Sequence, residues 1–235
     1  MSGAESQFVD RLLAERQSCR GFLPDPLERA EIAELVAAAS HAPSWCNTQP
    51  WELIITDGEE TERFRKALRA HAETSFADAP DMPFPPAYEG VYRDRRRECG
   101  WQLYQSLGID KGDRVASGLQ MLENFSLFGA PHVAVVTTDR RLGTYGALDC
   151  GLFVQSFLLA AQSRGIGTIA QAAIASQAPF VREHFDIPED RLVLLGISFG
   201  RPDPDHPANG FRTRRAGVEE IVTWADGALR HAGER

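Results

Sequence analysis

The sequence predicts one helix-rich domain of the α/β or α+β class. The chain has 235 residues, 43% of them hydrophobic, which suits a single domain with a full core. Segments with helical periodicity alternate with a few short apolar runs that are typical of strands. The sequence shows no internal repeat, and its ordinary content of charged residues argues against a disordered chain.

The N-terminal third is predicted to contain three helices and one strand. The first helix is expected at about 6–16. Apolar residues from Ile32 to Ala39 recur at i, i+3, i+4 and i+7, which predicts a second helix that ends before Pro43. The run 51–56 predicts a strand, which Asp57 and Gly58 close. A third helix is indicated by the apolar residues Phe64, Ala67 and Leu68.

The segment 74–90 is predicted to be an irregular loop. It contains four prolines, which remove backbone donors and fix φ. A loop of this length in a compact domain is often a lid or a binding segment, and the alternative is a surface insertion. Helices are expected after it at about 92–107 and 113–127.

The C-terminal half is predicted to hold the rest of the sheet. Strands are expected at 132–137, 167–174 and 191–198, with a short helix at 179–185. The helix at 145–163 is apolar nearly all round, which predicts that it is buried at the centre of the domain. The tail from Arg201 is rich in Pro, Asp and Arg but ends in the apolar segment 218–224, which favours an arm that docks on a partner subunit.

Composition excludes several classes of function. The net charge of −8 and the pI near 5.3 argue against a nucleic-acid-binding protein. The sequence contains no run of about 18 apolar residues and no apolar core of a signal peptide near its beginning, so no membrane association is expected. The four cysteines are widely spaced, which favours free thiols and a cytoplasmic location.

Two local motifs are rejected because their context is wrong. Residues 165–170 match the dinucleotide fingerprint GxGxxA, but a helix is predicted before them and a strand after them, the reverse of the required order. Residues 196–200 match the nucleophile elbow GxSxG, but a Pro-rich segment follows instead of a helix. A serine hydrolase built on Ser198 is therefore a minor alternative. The six histidines are scattered without ligand spacing, so no metal site is predicted.

Four polar segments remain as candidates for a binding site. The segment 16–20 offers two guanidinium groups, and 211–215 offers three arginines in a chain that is acidic overall, which points to an anionic ligand such as a phosphate. The Pro-bounded loop 42–51 carries amides and hydroxyls that suit a flat heterocycle. Small residues at 170–174 permit a planar ligand to approach the backbone. Each segment alone is also compatible with ordinary surface or packed structure.

Together these segments resemble the FMN-dependent nitroreductase family. The resemblance extends from about residue 8 to residue 224, and the stretch 92–109 looks like the branch that includes nitrobenzoate and nitroaromatic-herbicide reductases. The matching pieces, in the order of the family, are RQSCRGF (16–22), EIAELVAAASHAPS (31–44), NTQPWELIIT (47–56), GAPHVAVV (129–136), SRGIGT (163–168) and GRPDPDHPANGFRTRR (200–215).

The resemblance implies a specific architecture. It is an α+β, nitroreductase-like three-layer sandwich, in which helices flank a central, mostly antiparallel sheet. Residues 1–235 form a single FMN-binding domain, in which 74–110 is an insertion that forms a substrate pocket or lid. Members of the family are homodimers, and residues 201–235 are expected to be an arm that spans the dimer.

The resemblance also implies a cofactor site for FMN. Contacts to the phosphate and the ribityl chain are expected from Arg16, Ser18, Arg212 and Arg214. Gln17, between the first two of these residues, is included in the cofactor site. The pyrimidine edge of the flavin is expected near Arg20, with Asn124 as a weaker candidate. The other subunit is expected to contribute Pro43, Ser44, Trp45, Asn47 and Gln49. Backbone amides are expected near flavin N5 and O4 at the segment Gln171, Ala172 and Ala173.

The function that the resemblance implies is an FMN-dependent NAD(P)H oxidoreductase that reduces nitroaromatic compounds. Hydride passes through flavin N5 in a ping-pong cycle, so no catalytic side chain is expected. Reduction of quinones, enones or halogenated phenols on the same fold, and FMN storage without turnover, remain alternatives. The choice between NADH and NADPH stays open. Two departures from the family pattern concern the pocket: Ala172 and Ala173 replace an acidic residue and Gly, and Trp45 replaces a small residue.

Overall fold

The computed structural model describes residues 3–75 and 78–225, which form a four-stranded antiparallel sheet with helices on both faces. The order of the strands across the sheet is β1-β2-β4-β3, and each neighbouring pair is antiparallel. The strands are β1 (Trp51–Ile55), β2 (His132–Asp139), β3 (Gly167–Gln171) and β4 (Arg191–Gly200).

Helices connect the strands and cover both faces of the sheet. Short 3₁₀ turns lie at 45–47, 127–129, 140–142 and 207–209. In chain order the helices are α1 (Gly3–Glu15), α2 (Arg29–Ala39), α3 (Glu59–Thr74), α4 (Gly90–Ser106), α5 (Arg114–Leu122), α6 (Gly143–Gln162), α7 (Ala172–Ala175), α8 (Ala178–Phe185) and α9 (Val218–Ile221).

The core has two apolar layers, one on each face of the sheet. Side chains alternate along a strand, so successive residues of β2 face opposite layers. Ala134 packs with Phe153 and Phe157 of α6, whereas Val133 packs with Phe64 of α3. Helix, sheet and helix therefore form three layers, which confirms the predicted α+β sandwich and its antiparallel sheet.

Helix α6 is the central helix that the sequence predicts. Its buried face carries Phe153, Phe157 and Ala161 against the sheet, and it also packs on α2. Among the described residues, the segment 140–162 has the length and hydropathy of a membrane span. The packing of its apolar face in the core accounts for that composition.

Two predicted elements end earlier than the sequence suggests. The helix predicted at 113–127 stops at Leu122, and Leu127 and Phe128 both adopt positive φ, which is incompatible with an α-helix. The strand predicted at 167–174 stops at Gln171, where α7 begins. Ile174 then packs tightly on β4 at Gly196, where a Cβ atom would overlap the Ile174 side chain.

The structure agrees with the rejection of both local motifs. Gly165 has a φ of +67° at the end of α6, and the Ile166 amide donates to the Ala161 carbonyl 3.0 Å away, as in a helix C-cap. Ser198 is fully buried in β4, where its hydroxyl donates to the Gln171 side chain. A buried, hydrogen-bonded hydroxyl has no access to a substrate, so the hydrolase alternative is set aside.

Candidate functional site

The site begins where the segment after α1 joins the edge of the sheet. The Cys19 amide donates to the Thr168 carbonyl of β3 at 2.9 Å, and Ser18 forms a parallel bridge with the same residue. This pairing extends the sheet beyond β3 by one short strand. It fixes Ser18 and Arg20 at the edge of the domain.

The tail after β4 returns to this segment and is fastened to it by Asn209. The Asn209 carboxamide accepts from the Arg20 amide at 2.7 Å and donates to the Gly21 carbonyl at 2.9 Å. Gly21 is required at this junction, because a Cβ atom there would overlap the His206 ring. The sequence analysis did not single out Asn209, although it lies in the polar segment before the predicted arginines.

The junction encloses a cavity of about 210 Å³. Arg212 lies at its mouth and donates to the Gln17 side chain and, at 3.0 Å, to the Asn209 carbonyl. Segments 16–20 and 211–215 therefore meet, although about 190 residues separate them along the chain. The polar side chains that line the cavity are Arg16, Gln17, Ser18, Arg20, Arg212, Thr213 and Arg215.

The cationic side chains of this cavity lack acidic partners. Among the described residues, no carboxylate lies within 4 Å of Arg16, Arg20, Arg212 or Arg215. Burial, followed by repulsion from Arg215, lowers the pKa of Arg16, and burial lowers the pKa of Arg20. A cluster of uncompensated positive charges is unfavourable in itself and is stabilised by a bound anion. The residues present therefore fit a phosphate group.

Arg214 and Arg215 lie differently from what the sequence analysis expected. Arg214, predicted to be a phosphate ligand, does not line the cavity; it pairs with Glu220 at 3.5 Å and with Glu98 at 3.9 Å. Arg215, which the sequence analysis did not assign, lines the cavity instead. Arg214 borders a neighbouring cavity of about 440 Å³ between α4 and the tail.

The segment 171–173 lies at the end of β3, beside the residues that follow α5. Gln171 is buried, and its amide donates to the Asn124 carbonyl at 2.8 Å while its oxygen accepts from Ser198. The Gln171 side chain is thus occupied in joining Asn124 to the sheet. Ala172 is exposed and Ala173 is half-buried in the first turn of α7, where backbone amides lack acceptors within the helix.

The loop 43–49 lies on α6 and does not line the cationic cavity of the same chain. The Trp45 amide donates to the buried Asp149 carboxylate at 3.1 Å, and the indole ring packs on Tyr145 with centroids 4.6 Å apart. Ser44 accepts from the Gln49 amide at 2.9 Å. Pro43, Asn47 and Gln49 are exposed, and Asn47 and Gln49 adopt positive φ. A polar loop is thus held in a strained conformation at the surface.

A second cavity, which is apolar and has a volume of about 540 Å³, lies between α3, α5 and α7. Its lining comes from α3, α5, α7 and the loop before α4, so it includes part of the insertion predicted to form a substrate pocket. Helix α4 does not line it and instead borders the cavity at the tail. Its apolar side chains are Ala72, Phe84, Met121, Leu122, Phe125 and Ala173.

Comparisons with known proteins identify the family of the chain. The model of the Nitroreductase family matches residues 13–201. The nitrobenzene nitroreductase of Ectopseudomonas oleovorans is 33% identical over 221 residues, 93% of this chain and 97% of that protein. The 4-nitrobenzoate reductase of Pseudomonas putida is 34% identical over 88% of this chain and 90% of that protein. The structure of the FMN-dependent nitroreductase NfnB from Mycobacterium smegmatis in complex with NADPH superimposes with a TM-score of 0.88 and 32% identity, covering 94% of this chain and 99% of that one.

Proposed function

Because this chain belongs to the nitroreductase family, we propose that it is an FMN-dependent NAD(P)H oxidoreductase that reduces nitroaromatic compounds. The family prediction made from the sequence motifs is confirmed. The observation that carries the proposal is the cationic cavity, in which four arginines lack acidic partners among the described residues. A phosphate dianion supplies the missing negative charge.

The arginines of the cavity are the residues that hold the FMN phosphate in this proposal. Arg16 and Arg212 line the cavity from the two chain segments that meet there, and Arg215 adds a third guanidinium group. Charge-assisted hydrogen bonds of this kind contribute roughly 1.5–3 kcal/mol each. Arg214 is a less favourable candidate, because Glu220 and Glu98 already pair with it.

Arg20 holds a positive charge at the inner end of the cavity. Its backbone amide is fixed by Asn209, and its guanidinium group lies near the Phe128 and Phe211 rings, 5.9 and 6.0 Å from their centroids. FMN, when bound, supplies two-electron transfer between NAD(P)H and an acceptor. In this proposal Arg20 stabilises negative charge at the pyrimidine edge of the flavin, as the family resemblance implies.

Cys19, which lies between Ser18 and Arg20 of the cavity, is unsuited to nucleophilic catalysis. Burial raises the pKa of the Cys19 thiol to about 11, so the thiol stays protonated at neutral pH. Its sulfur donates to the Gly21 carbonyl at 3.1 Å, which is a structural contact. In the proposed chemistry the cofactor carries the electrons, and Cys19 forms no covalent intermediate.

A homodimer is part of the proposal. Exposed apolar side chains lie on α1 and α6, among them Phe8, Leu13, Leu148 and Leu152, beside the strained loop 43–49. A second copy packed on this surface would bury those side chains and bring its loop to the flavin, as the family resemblance implies. Light scattering should give twice the mass of the chain, and the double variant L148E/L152E should reduce it to that of one chain.

The acceptor and the location of the protein belong to the same proposal. Its relatives act, according to their names, on nitrobenzene and 4-nitrobenzoate, which supports a nitroaromatic acceptor over a quinone. All four cysteines carry free thiols in the structure, which suits a reducing cytoplasm where NAD(P)H is available.

An absorption spectrum followed by anaerobic reduction tests the proposal. The purified protein should be yellow, should bleach on addition of NADH or NADPH, and should recover its colour with a nitroarene. The faster of the two nucleotides identifies the donor. A yellow protein that neither nucleotide bleaches would support FMN storage, and a protein that remains colourless with added FMN would overturn the assignment.

A further inference from the structure

The apolar cavity beside α5 has the features of a site for a small aromatic ligand. Its volume of about 540 Å³ lies within the range of small-molecule sites, and most of its lining is apolar. It extends from Phe84 and Met121 at its outer end to Phe125 and Ala173 at its inner end. Ala173 is the residue whose backbone amide the family resemblance associates with the reactive edge of the flavin.

The loop that forms one wall of this cavity is anchored at two points. The Ala79 amide donates to the Ser176 carbonyl, which follows α7, at 2.8 Å. The Asp81 carboxylate accepts from the Val193 amide of β4 and from Arg182, each at 2.7 Å. Asp81 and Arg182 are both largely buried. The wall is therefore fixed relative to the sheet on either side of Pro80.

The charged residues at this cavity are acidic. Glu73 and Asp78 line it, and among the described lining residues there is no Arg, Lys or His. Glu73 pairs with Arg69 at 2.7 Å, but Arg69 also pairs with Glu123 at 3.0 Å, so one cation serves two carboxylates. Asp78 has no cation within 4 Å in the described part of the chain. The local field at the cavity is therefore negative.

We propose that this cavity is the acceptor site and that Glu73 and Asp78 make it select uncharged nitroarenes over nitroarenes that carry a carboxylate. The inference rests on the proposed function and specifies its substrate class. The carboxylate of a nitrobenzoate in the cavity would lose its hydration without gaining a cationic partner. The carboxylates of Glu73 and Asp78 would also repel it. An uncharged ring of the same size packs on the apolar part of the wall and is not repelled by the two carboxylates.

The reaction assigned to this site is balanced by the donor that the proposed function already includes. In the first step, a nitroarene, one NAD(P)H and one proton give the nitroso compound, NAD(P)⁺ and water. The nitro group gains two electrons and the nicotinamide loses them, while one N–O bond breaks. In this balance one hydrogen atom of the water derives from the transferred hydride and the other from a solvent proton.

The discriminating experiment compares 4-nitrobenzamide with 4-nitrobenzoate, which are similar in size and differ in charge. The holoprotein should show a kcat/KM at least about tenfold higher for the amide. Binding of each compound to the oxidised holoprotein without nucleotide, followed by fluorescence quenching, should show the same preference. Binding provides a measure that is independent of turnover and of the reduction potentials of the two compounds.

Two sets of variants test the residues. The double variant E73Q/D78N should raise kcat/KM for 4-nitrobenzoate about tenfold relative to kcat/KM for 4-nitrobenzamide, so that the preference for the amide is lost. The control E62Q lies on the same helix and pairs with Arg65 outside the cavity, so it should change neither. The variant F84A should weaken binding of both compounds without changing FMN content, because Phe84 is part of the apolar wall.

The outcomes separate this inference from the proposed function. Equal activity on the two acceptors, or a preference for 4-nitrobenzoate that E73Q/D78N does not alter, would overturn the selectivity while nitroreduction stands. Unchanged binding of both acceptors to F84A would overturn the location of the site. A flavin-loaded protein that reduces neither compound would overturn the proposed function, and its binding preference would still decide the selectivity.

Discussion

The cationic cavity between segments 16–20 and 211–215, called the cleft below, and the insertion 74–110 are built in opposite ways. The cleft is held by buried contacts between distant parts of the chain, such as those of Asn209 with Arg20 and Gly21. Helix α4 of the insertion and the following helix α5 lie against the domain without a single buried residue. Val115 of α5 is 75% exposed, whereas Asn209 is 8% exposed.

This difference indicates which part of the site the domain determines by itself. The geometry of the cleft is set by the fold, because buried hydrogen bonds join its two chain segments. The hydrogen bonds of the insertion to the core elements include those of Ala79 and Asp81, and no residue of α4 is buried, so its surface can change without loss of the core. In the proposed enzyme, cofactor binding belongs to the first region and acceptor choice to the second.

The largest expected effect comes from removing cations from the cleft. The double variant R16A/R212A should weaken FMN binding by about 3–6 kcal/mol, because two charge-assisted contacts to the phosphate are lost. Fluorescence titration of the apoprotein with FMN measures the effect. R214A is the matched control, because Arg214 pairs with Glu220 and Glu98; a loss of affinity in R214A as large as in the double variant would contradict the structural difference between the two arginines.

The next effect concerns the anchor of the insertion. D81A should destabilise the protein by about 3 kcal/mol, because Arg182 is left largely buried without its nearest carboxylate. It should also raise KM for nitroarenes while the Kd for FMN stays unchanged. Urea unfolding and steady-state kinetics provide the two readings. An increase in the Kd for FMN comparable to the change in KM would show that the two regions are not independent.

A smaller effect is expected from Asn209. N209A removes the acceptor of the Arg20 amide and the donor to Gly21, each a partly or fully buried contact, so stability should fall by about 2 kcal/mol. FMN affinity should fall with it, because the Asn209 segment also orients Arg212. N209D retains the acceptor and should restore part of the affinity. An unchanged FMN affinity in N209A would contradict its positioning role.

The smallest effect should come from the exposed face of α5. V115S should change the free energy of unfolding by less than about 0.5 kcal/mol, since the side chain is already in solvent. Thermal unfolding measured at two protein concentrations tests this. A large, concentration-dependent fall in Tm would show that a second copy covers α5, and this helix would then be part of the dimer interface.

The sequence was sufficient for those parts of the fold that local pattern dictates. The periodicity of Ile32 to Ala39 identified α2, and the apolar length of 145–163 identified the central helix. It failed where tertiary contacts decide. The helical pattern up to residue 127 gave no sign that Leu127 and Phe128 would adopt positive φ, and the small residues after Gln171 fit a strand as well as a helical turn.

The parts of the candidate site that contain clustered charged residues could be predicted from the sequence. The parts that depend on tertiary hydrogen bonds could not. Clustered arginines identified both segments of the cleft. The sequence does not show which way each side chain points, so it could not tell that Arg215 lines the cleft and Arg214 does not. Asn209 lies within the matching piece 200–215 but carries no charge, and its role depends on a residue 189 positions away. The placement of the loop 43–49 against a partner's flavin remains a prediction.

The hydrogen bond between Arg20 and Asn209 has a consequence for biosynthesis. The first of these residues leaves the ribosome roughly 10–40 s before the second, since translation proceeds at about 5–20 residues per second. During that interval the N-terminal arginines have no tail to complete their cleft. The proposed phosphate site is therefore complete only after the tail has been synthesised, and a chain truncated before residue 209 would retain the four strands and both apolar layers without that site.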